Sequence, residues 1–178
     1  ILREACLLSV QDQNSYDFLK SKGFDNILLA GDGRIDRIIS LGEESFHNEF
    51  IAKFCGESPI LVIGSSWTQD LEILKKAIQS SAFENWKIII APHKVDDPHI
   101  NECKTFFGSG INLYSGGIQS LSEVSRVLVI DFIGLLATLY RKATLAYVGG
   151  GFGKGIHNIL EPIAFGVPVC FGPQHKKF

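Results

Sequence analysis

The stretch PILVIGSSWTQDLEILKKAIQSSAFENWKIIIAPH, residues 59–93, decides the fold. Its two ends, Pro59–Ser66 and Trp86–His93, carry continuous runs of valine, isoleucine and leucine, which predict strands buried on both faces. Between them, Thr68–Ser80 has the apolar period of a helix. Buried strands joined by a helix are typical of a parallel sheet covered on both sides. We therefore predict a doubly wound, Rossmann-like α/β fold.

The same alternation continues on both sides of this stretch. Short apolar runs predict further strands at residues 6–10, 27–32, 111–115, 126–131, 145–150 and 168–173. Helices are predicted at residues 45–56, 98–107, 134–143 and within 159–166, and a first helix ends at Lys20 after a cap at Asn14 or Ser15. Residues 31–46 contain turn residues without a clean period, so we predict a linker there.

The composition disfavours several classes of protein. The 178 residues are 46% hydrophobic and 20% charged, with a net charge of -2, which is typical of a soluble globular domain. The net charge also argues against a nucleic-acid-binding module, because such a module would carry a basic patch. The four cysteines lie far apart, which argues against a zinc site or a redox pair and predicts free, buried thiols. No apolar run reaches the roughly 18 residues of a membrane span. The chain starts with isoleucine and has no methionine, so we interpret it as a piece of a longer protein.

In a doubly wound sheet, ligands bind beyond the carboxyl ends of the strands. The segments in that position are Gly64–Ser66, Pro92–Lys94, Asp131, Gly149–Gly151 and Gly172–Pro173. We expect the functional site among them. Asp131 is a weak candidate for a general base, and capping of the next helix is its simpler role.

The glycine cluster GGGFGKG, residues 149–155, is not a P-loop. A P-loop ends in Gly-Lys followed by serine or threonine, but Lys154 is followed by Gly155, and Val148 occupies the place of the first glycine. The dinucleotide fingerprint Gly-x-Gly-x-x-Gly fails as well, because its last position falls on Lys154 or Ile156. Kinases and nicotinamide enzymes are therefore disfavoured.

What remains is a strand, a glycine loop and the start of a helix, a pattern that favours phosphate binding. His157 and Asn158 stand where they could help to hold an anion. A structural interpretation competes with this one. Asn158 and Glu161 have the spacing of a capping box, or the helix begins at Pro162. A surface or packing role is the alternative for His157.

The segment GGGFGKGIHNILEPIAFGVPVCFGP, residues 149–173, resembles the signature of 3-deoxy-D-manno-octulosonic acid (Kdo) transferases, two-domain bacterial glycosyltransferases of the GT-B class. The matching positions are Gly149, Gly150, Gly155, His157, Asn158, Leu160–Pro162, Ala164, Gly166–Val169, Gly172 and Pro173. Looser similarity extends upstream to about Pro59. Residues 7–36 are similar, more weakly, to the end of the family's N-terminal domain.

This resemblance implies that residues 1–40 are the end of an N-terminal acceptor domain and the interdomain linker, and that residues 41–178 are a nucleotide-sugar-binding C-terminal domain. The implied activity is the inverting transfer of Kdo from CMP-Kdo to a lipid A precursor, in lipopolysaccharide core biosynthesis, without cofactor, metal or covalent intermediate. The whole protein would be associated with the cytoplasmic face of the bacterial inner membrane and would have no nucleic-acid partner. This piece alone would be soluble and inactive, because the catalytic base lies in the N-terminal domain.

The resemblance also implies a set of residues that bind CMP-Kdo and no catalytic residue within this chain. Pro92 and His93 would lie beside the cytidine, the turn at 133–135 would contact the nucleotide, and residues 158–161 would hold phosphate and ribose. The full set is Ser65, Pro92, His93, Ile133, Gly134, Leu135, Gly150, Gly151, His157, Asn158, Ile159, Leu160 and Glu161.

Three positions depart from the family pattern. His93 replaces an arginine, Leu135 replaces a glutamate, and a third glycine replaces a serine. The change at His93 matters most physically, because arginine is a fixed, two-pronged charge whereas histidine is charged only near or below about pH 6.5.

Other functions fit the same architecture. A UDP-sugar transferase or epimerase of the GT-B class also carries a late glutamate that can bind ribose. A non-catalytic nucleotide- or protein-binding module fits the lack of an identifiable base. A phosphatase or hydrolase would need a nucleophile at a strand end, where Ser65 and Asp131 lie, but neither has a supporting motif.

Overall fold

The computed structural model describes residues 4–43, 47–108 and 110–176. The chain divides into two compact units, Ile1–Glu43 and Glu44–Phe178. The predicted functional boundary after residue 40 stays a prediction, since the division into units says nothing about what either part binds.

The first unit is a small parallel βαβ arrangement followed by a second helix. It contains β1 (Leu8–Val10), α1 (Gln13–Ser21), β2 (Ile27–Leu29) and α2 (Gly33–Glu43), with β1 and β2 paired in parallel. Helix α1 is capped by Asp12, whose Oδ1 accepts a hydrogen bond from the Ser15 backbone N–H at 2.8 Å. The predicted caps at Asn14 and Ser15 are therefore wrong, because both residues already lie inside the helix.

Helix α2 occupies most of the segment that was predicted as a linker, so this segment is helical where irregular structure was expected. Ile35, Ile38 and Ile39 follow the i, i+3, i+4 spacing of a helix face. Two glycines, Gly33 and Gly42, obscure this period, because each lowers helix propensity by roughly 1 kcal/mol. Of these three isoleucines, Ile38 is buried, whereas Ile35 and Ile39 are exposed.

The second unit contains the predicted doubly wound sheet, which is confirmed. Its strands are β3 (Ile60–Ser66), β4 (Lys87–Pro92), β5 (Asn112–Leu113), β6 (Val127–Val129), β7 (Leu145–Val148) and β8 (Val169–Phe171). Its helices are α3 (Glu49–Cys55), α4 (Thr68–Ile78), α5 (Asp97–Phe107), α6 (Leu136–Leu139) and α7 (Leu160–Ala164). The strand order is β5-β6-β4-β3-β7-β8, and every neighbouring pair is parallel.

Alternate residues of the central strands feed two separate cores. Ile60 and Val62 of β3 pack on one face with Phe50, Ile51 and Phe54 of α3. Leu61 and Ile63 pack on the other face with a second cluster, whose helical members are Leu71, Ile78, Ile100 and Cys103 of α4 and α5. Since both faces of the sheet are covered, the strands have no polar side, which explains the continuous apolar runs in the sequence.

Several predicted elements are shorter than expected, and in two of them the chain continues into a 3₁₀ turn. The strand predicted at 111–115 is limited to β5, because a 3₁₀ turn begins at Tyr114. The helix predicted at 134–143 is α6 followed by a 3₁₀ turn at Tyr140–Lys142.

The structure also bears on membranes, metals and thiols. Within the ranges described, no helix combines the length and the apolarity that a membrane crossing requires. Among the same residues, no group of three or more His, Cys, Asp and Glu side chains could hold a metal ion. The cysteines are free, but only Cys55 and Cys103 are buried, so the prediction of buried thiols is wrong for Cys6 and Cys170.

Candidate functional site

A cleft of about 450 Å³ opens at the carboxyl edge of the six-stranded sheet. Because all six strands are parallel, the loops that follow them meet at this edge. The loops after β3, β4 and β6 form the cleft, whose lining is Ser65, Ala91, Pro92, His93, Lys94, Val95, Asp96, Ile130, Phe132, Ile133, Gly134 and Leu136. Five of the predicted site residues thus share one cavity, while Leu135 is flanked by lining residues without lining it.

Ser65 marks an irregularity at the end of β3. The pairing register between β3 and β4 shifts between Gly64 and Ser66, and Ser65 has a φ of 52°. That left-handed conformation is uncommon for a residue other than glycine and typically costs about 1–3 kcal/mol. After the bulge, the carbonyl of Ser66 accepts a hydrogen bond from the His93 backbone N–H at 3.0 Å. The bulge therefore fixes the start of the β4 loop against the end of β3.

Three aromatic rings connect the cleft to the segment that follows the glycine loop. The rings of Trp67 and His93 stack with centroids 4.3 Å apart, and those of His93 and His157 stack at 4.4 Å. Trp67 Nε1 donates a hydrogen bond to His157 Nε2 at 3.2 Å. As an acceptor at Nε2, His157 is the neutral tautomer with its proton on Nδ1. Sequence reasoning singled out both histidines but missed Trp67.

The surroundings of His93 keep its imidazole neutral. Partial burial lowers the pKa of His93 below its ordinary value, and the nearby charges of Lys94 and His99 lower it further. The arginine-to-histidine departure therefore removes a fixed charge at this position. Of the residues that line the cleft, Lys94 is the one that carries a permanent positive charge at neutral pH.

Lowering the pH from 7 to 5 is expected to destabilise the wild-type chain more than the variant His93→Gln. Because the folded pKa of His93 lies below the ordinary 6.5, the unfolded chain takes up its proton first as the pH falls. The unfolded state then binds more protons, so the free energy of unfolding decreases through this window. Urea denaturation of both proteins at the two pH values measures the difference. Equal pH responses would contradict the assignment.

The glycine loop that follows β7 is closed by its own backbone hydrogen bonds. The N–H groups of Gly153 and Gly155 both donate to the carbonyl of Gly150, at 3.0 and 3.1 Å, and the N–H of His157 donates to Gly149 at 3.1 Å. Helix α7 begins only at Leu160 and has five residues. The prediction that the loop leads directly into a helix start is therefore wrong, and the N–H groups named here already have partners inside the protein.

Asn158 and Glu161 form a local pair across the start of α7, but not the predicted capping box, because the N-cap residue is Ile159. Asn158 Oδ1 accepts from the Leu160 backbone N–H at 3.1 Å, and Asn158 Nδ2 donates to Glu161 Oε1 at 3.2 Å. The alternative helix start at Pro162 is wrong, because that residue lies inside α7. Residues 157–161 are all half-buried. Each residue of this segment therefore keeps part of its surface accessible.

Asp70 is a further residue that sequence reasoning missed. It is 1% exposed and accepts three hydrogen bonds, from Tyr147 Oη at 2.6 Å, the Trp67 backbone N–H at 2.9 Å and the Gly150 backbone N–H at 3.0 Å. Burial, followed by the bond to Asp70, raises the pKa of Tyr147, so its hydroxyl stays protonated and donates. One carboxylate therefore joins the loop after β3 to the glycine loop after β7.

Asp131 has a different role from the one predicted. Its carboxylate accepts from the Ser115 backbone N–H at 2.8 Å and from the Ser115 hydroxyl. It holds the turn that follows β5, five residues before α6 begins, so the prediction that it caps the next helix is wrong.

Comparison with known proteins gives relatives of one kind. No protein-family model matches the chain. The 3-deoxy-D-manno-octulosonic acid transferase of Aquifex aeolicus is 30% identical over 171 residues, which are 88% of this chain and 46% of that protein. The protein of the same name from Chlamydia muridarum is 33% identical over 160 residues, 84% of this chain and 35% of that protein. The chain thus spans less than half the length of these two relatives.

A solved structure has the same fold. The C-terminal CMP-Kdo binding domain of WaaA from Acinetobacter baumannii matches 80% of this chain and 74% of its own chain with a TM-score of 0.59. The sequence identity is 24%, so the likeness shows the architecture and leaves the ligand to be argued from the residues.

Proposed function

The chain belongs to the family of 3-deoxy-D-manno-octulosonic acid transferases, and on that premise we propose that residues 41–178 form the domain of a GT-B glycosyltransferase that binds the donor CMP-Kdo. The observation that carries the proposal is the cleft at the carboxyl edge of the sheet. It collects predicted donor-binding residues from three loops and joins them to residues 157–161 through the stacked rings of His93 and His157.

The groups around the cleft suit the parts of a cytidine monophosphate. Apolar side chains and the turn at Phe132–Gly134 offer apolar surface for the base, and the neutral His93 can exchange hydrogen bonds with the edge of the base. The Glu161 carboxylate can accept from ribose hydroxyls. Lys94 and the Asn158 amide can donate to the phosphate, on which negative charge develops as the sugar departs.

We further propose that the whole protein transfers Kdo with inversion to a lipid A precursor. Deprotonation of the acceptor hydroxyl requires a general base. We assign that base to the remainder of the protein, because the one carboxylate in the cleft lining, Asp96, is bonded to His99. The transfer of Kdo would take place at the cytoplasmic face of the inner membrane, and the whole protein would be associated with that membrane.

Titration of the chain with CMP is expected to give saturable binding that exceeds the binding of UMP and UDP. The variant Glu161→Gln is expected to weaken CMP binding about tenfold, because glutamine keeps one acceptor oxygen but loses the charge, and a hydrogen bond to a charged group contributes roughly 1.5–3 kcal/mol against roughly 0.5–1.5 kcal/mol for a neutral one. Calorimetry or amide chemical shifts provide the measurement. The matched control is Glu72→Gln, the same change at an exposed position of α4.

The outcome also separates the competing functions. Preference for UDP over CMP would overturn the proposal in favour of a UDP-sugar enzyme. Binding of CMP by the chain, together with a whole protein that never transfers Kdo, would favour a non-catalytic nucleotide-binding module.

A further inference from the structure

Asp70 is a buried carboxylate that accepts hydrogen bonds from two different loops of the fold. It lies in the first turn of α4, where the partial positive charge of the helix start stabilises an anion. An unpaired carboxylate at 1% exposure would be strongly unfavourable, so its three donors are needed to keep it there. Those donors come from β7 and from the loops that follow β3 and β7.

These two loops follow β3 and β7, the neighbouring strands between which the order of strand addition changes sides. From β3 the chain proceeds to β4 on one side, and it returns later to place β7 on the other side. Loops that follow the two strands at such a point diverge and leave a crevice between them. Asp70 Oδ2 bridges them, because it accepts from both the Trp67 N–H and the Gly150 N–H.

The bridge determines where the aromatic rings lie. Trp67 and Gly150 are the residues that Asp70 holds, and His157 follows Gly150 in a loop closed by the bond from the His157 N–H to Gly149. The Trp67 ring then donates to His157 and stacks on His93. A shift of either loop would separate these rings and move residues 157–161 relative to the cleft.

We propose that Asp70 is a positioning residue of the donor site: without touching the donor, it fixes the glycine loop against the Trp67 turn and thereby aligns residues 157–161 with the cleft. This inference rests on the proposed function, since the site that it aligns is the CMP site. Tyr147 belongs to the same device, because its hydroxyl occupies Asp70 Oδ1 and leaves Oδ2 for the two backbone donors.

Variants of Asp70 distinguish positioning from charge and from simple stability. Asp70→Ala removes the acceptor for all three donors. Asp70→Asn keeps one oxygen for the two N–H groups and turns its amide toward the Tyr147 hydroxyl, which can accept. A positioning role therefore predicts that asparagine restores binding, whereas a charge role predicts that it does not.

The stability control is Asn112→Ala. Asn112 is 4% exposed on the edge strand β5, accepts from the Ser122 N–H at 2.8 Å and donates to the Ser122 carbonyl at 3.2 Å. Its replacement also removes a buried polar side chain that holds backbone groups, but it lies away from the cleft lining.

The experiment measures the CMP dissociation constant and the free energy of unfolding of each protein. We expect Asp70→Ala to bind CMP at least tenfold more weakly, Asp70→Asn to stay within about threefold of wild type, and Asn112→Ala to bind like wild type despite its lower stability. Wild-type affinity in Asp70→Ala would overturn the inference, and so would equal losses in the alanine and asparagine variants or in the control.

Tyr147→Phe decides the matter if Asp70→Ala does not fold. Loss of this one donor is expected to weaken CMP binding about threefold and to shift the amide resonance of Gly150, and no change in either would overturn the inference. Failure of the wild-type chain to bind CMP would overturn the proposed function and this inference together. Binding by wild type and variants alike would overturn this inference alone.

Discussion

Replacement of Gly151 by alanine is expected to cost about 3 kcal/mol of stability and to abolish CMP binding. A Cβ at Gly151 would lie 2.5 Å from the Cα of Gly172 and 2.6 Å from its nitrogen, both backbone atoms. Backbone cannot rotate away as a side chain can, so the glycine loop after β7 must separate from the residue that follows β8. Overpacking that forces backbone shifts costs about 1–3 kcal/mol or more.

The same loop offers a matched control for this substitution. A Cβ at Gly153 would meet nothing closer than 3.8 Å, so Gly153→Ala should leave stability and CMP affinity near wild type. The reciprocal change Gly172→Ala should reproduce the Gly151 effect, because its Cβ would lie 2.7 Å from the Gly151 carbonyl carbon. Chemical denaturation and a CMP titration test all three variants, and a stable Gly151→Ala protein would show that the two glycines are not in this contact.

Gly64→Ala is expected to destabilise the chain by a similar amount, about 3 kcal/mol, through a contact with a side chain. A Cβ at Gly64 would lie 2.0 Å from the hydroxyl oxygen of Tyr140 and 3.0 Å from its Cζ. Tyr140 is 1% exposed in the core under β3, so its ring cannot move aside without disturbing its neighbours.

A double variant isolates this contact. Tyr140→Phe removes the oxygen that clashes, so Gly64→Ala combined with Tyr140→Phe should recover roughly 1–2 kcal/mol of what Gly64→Ala loses. The four proteins of this cycle are compared by urea denaturation. Additive losses would contradict the expected clash, since they would mean that the two positions do not interact.

The local sequence was sufficient to predict the fold because the continuous apolar runs of the central strands indicate burial on both faces. Residues 60–63 and 88–90 are apolar at every position, and in the structure successive residues alternate between two cores. Only a sheet covered on both faces satisfies such a run, so the parallel topology followed. The predicted ends of β5 and α6 were less accurate, because the chain continues from each into a 3₁₀ turn that no residue of low propensity marks.

Parts of the site could not be predicted because they depend on contacts between distant residues. Asp70 has the appearance of an ordinary acidic residue in the first turn of an amphipathic helix. Its role appears only when Gly150, 80 residues later in the chain, is brought to its carboxylate. The role of Trp67 likewise cannot be predicted from the local sequence, because it depends on the contact with His157. The glycine loop is ambiguous for a related reason, since close backbone contacts and ligand binding favour the same residue type.

The central place of β3 has a consequence for how the chain is made. Leu61 pairs with Leu145, which is synthesised 84 residues later, so that edge of β3 has no partner while the intervening chain emerges. At about 5–20 residues per second, this interval lasts about 4–17 s. The β3–α4–β4 segment can assemble early, but one edge of its β3 strand stays exposed to solvent throughout that wait. The nascent protein is therefore most prone to aggregation just before β7 is synthesised. β3, which lies at the centre of the finished sheet, is the strand that promotes this aggregation.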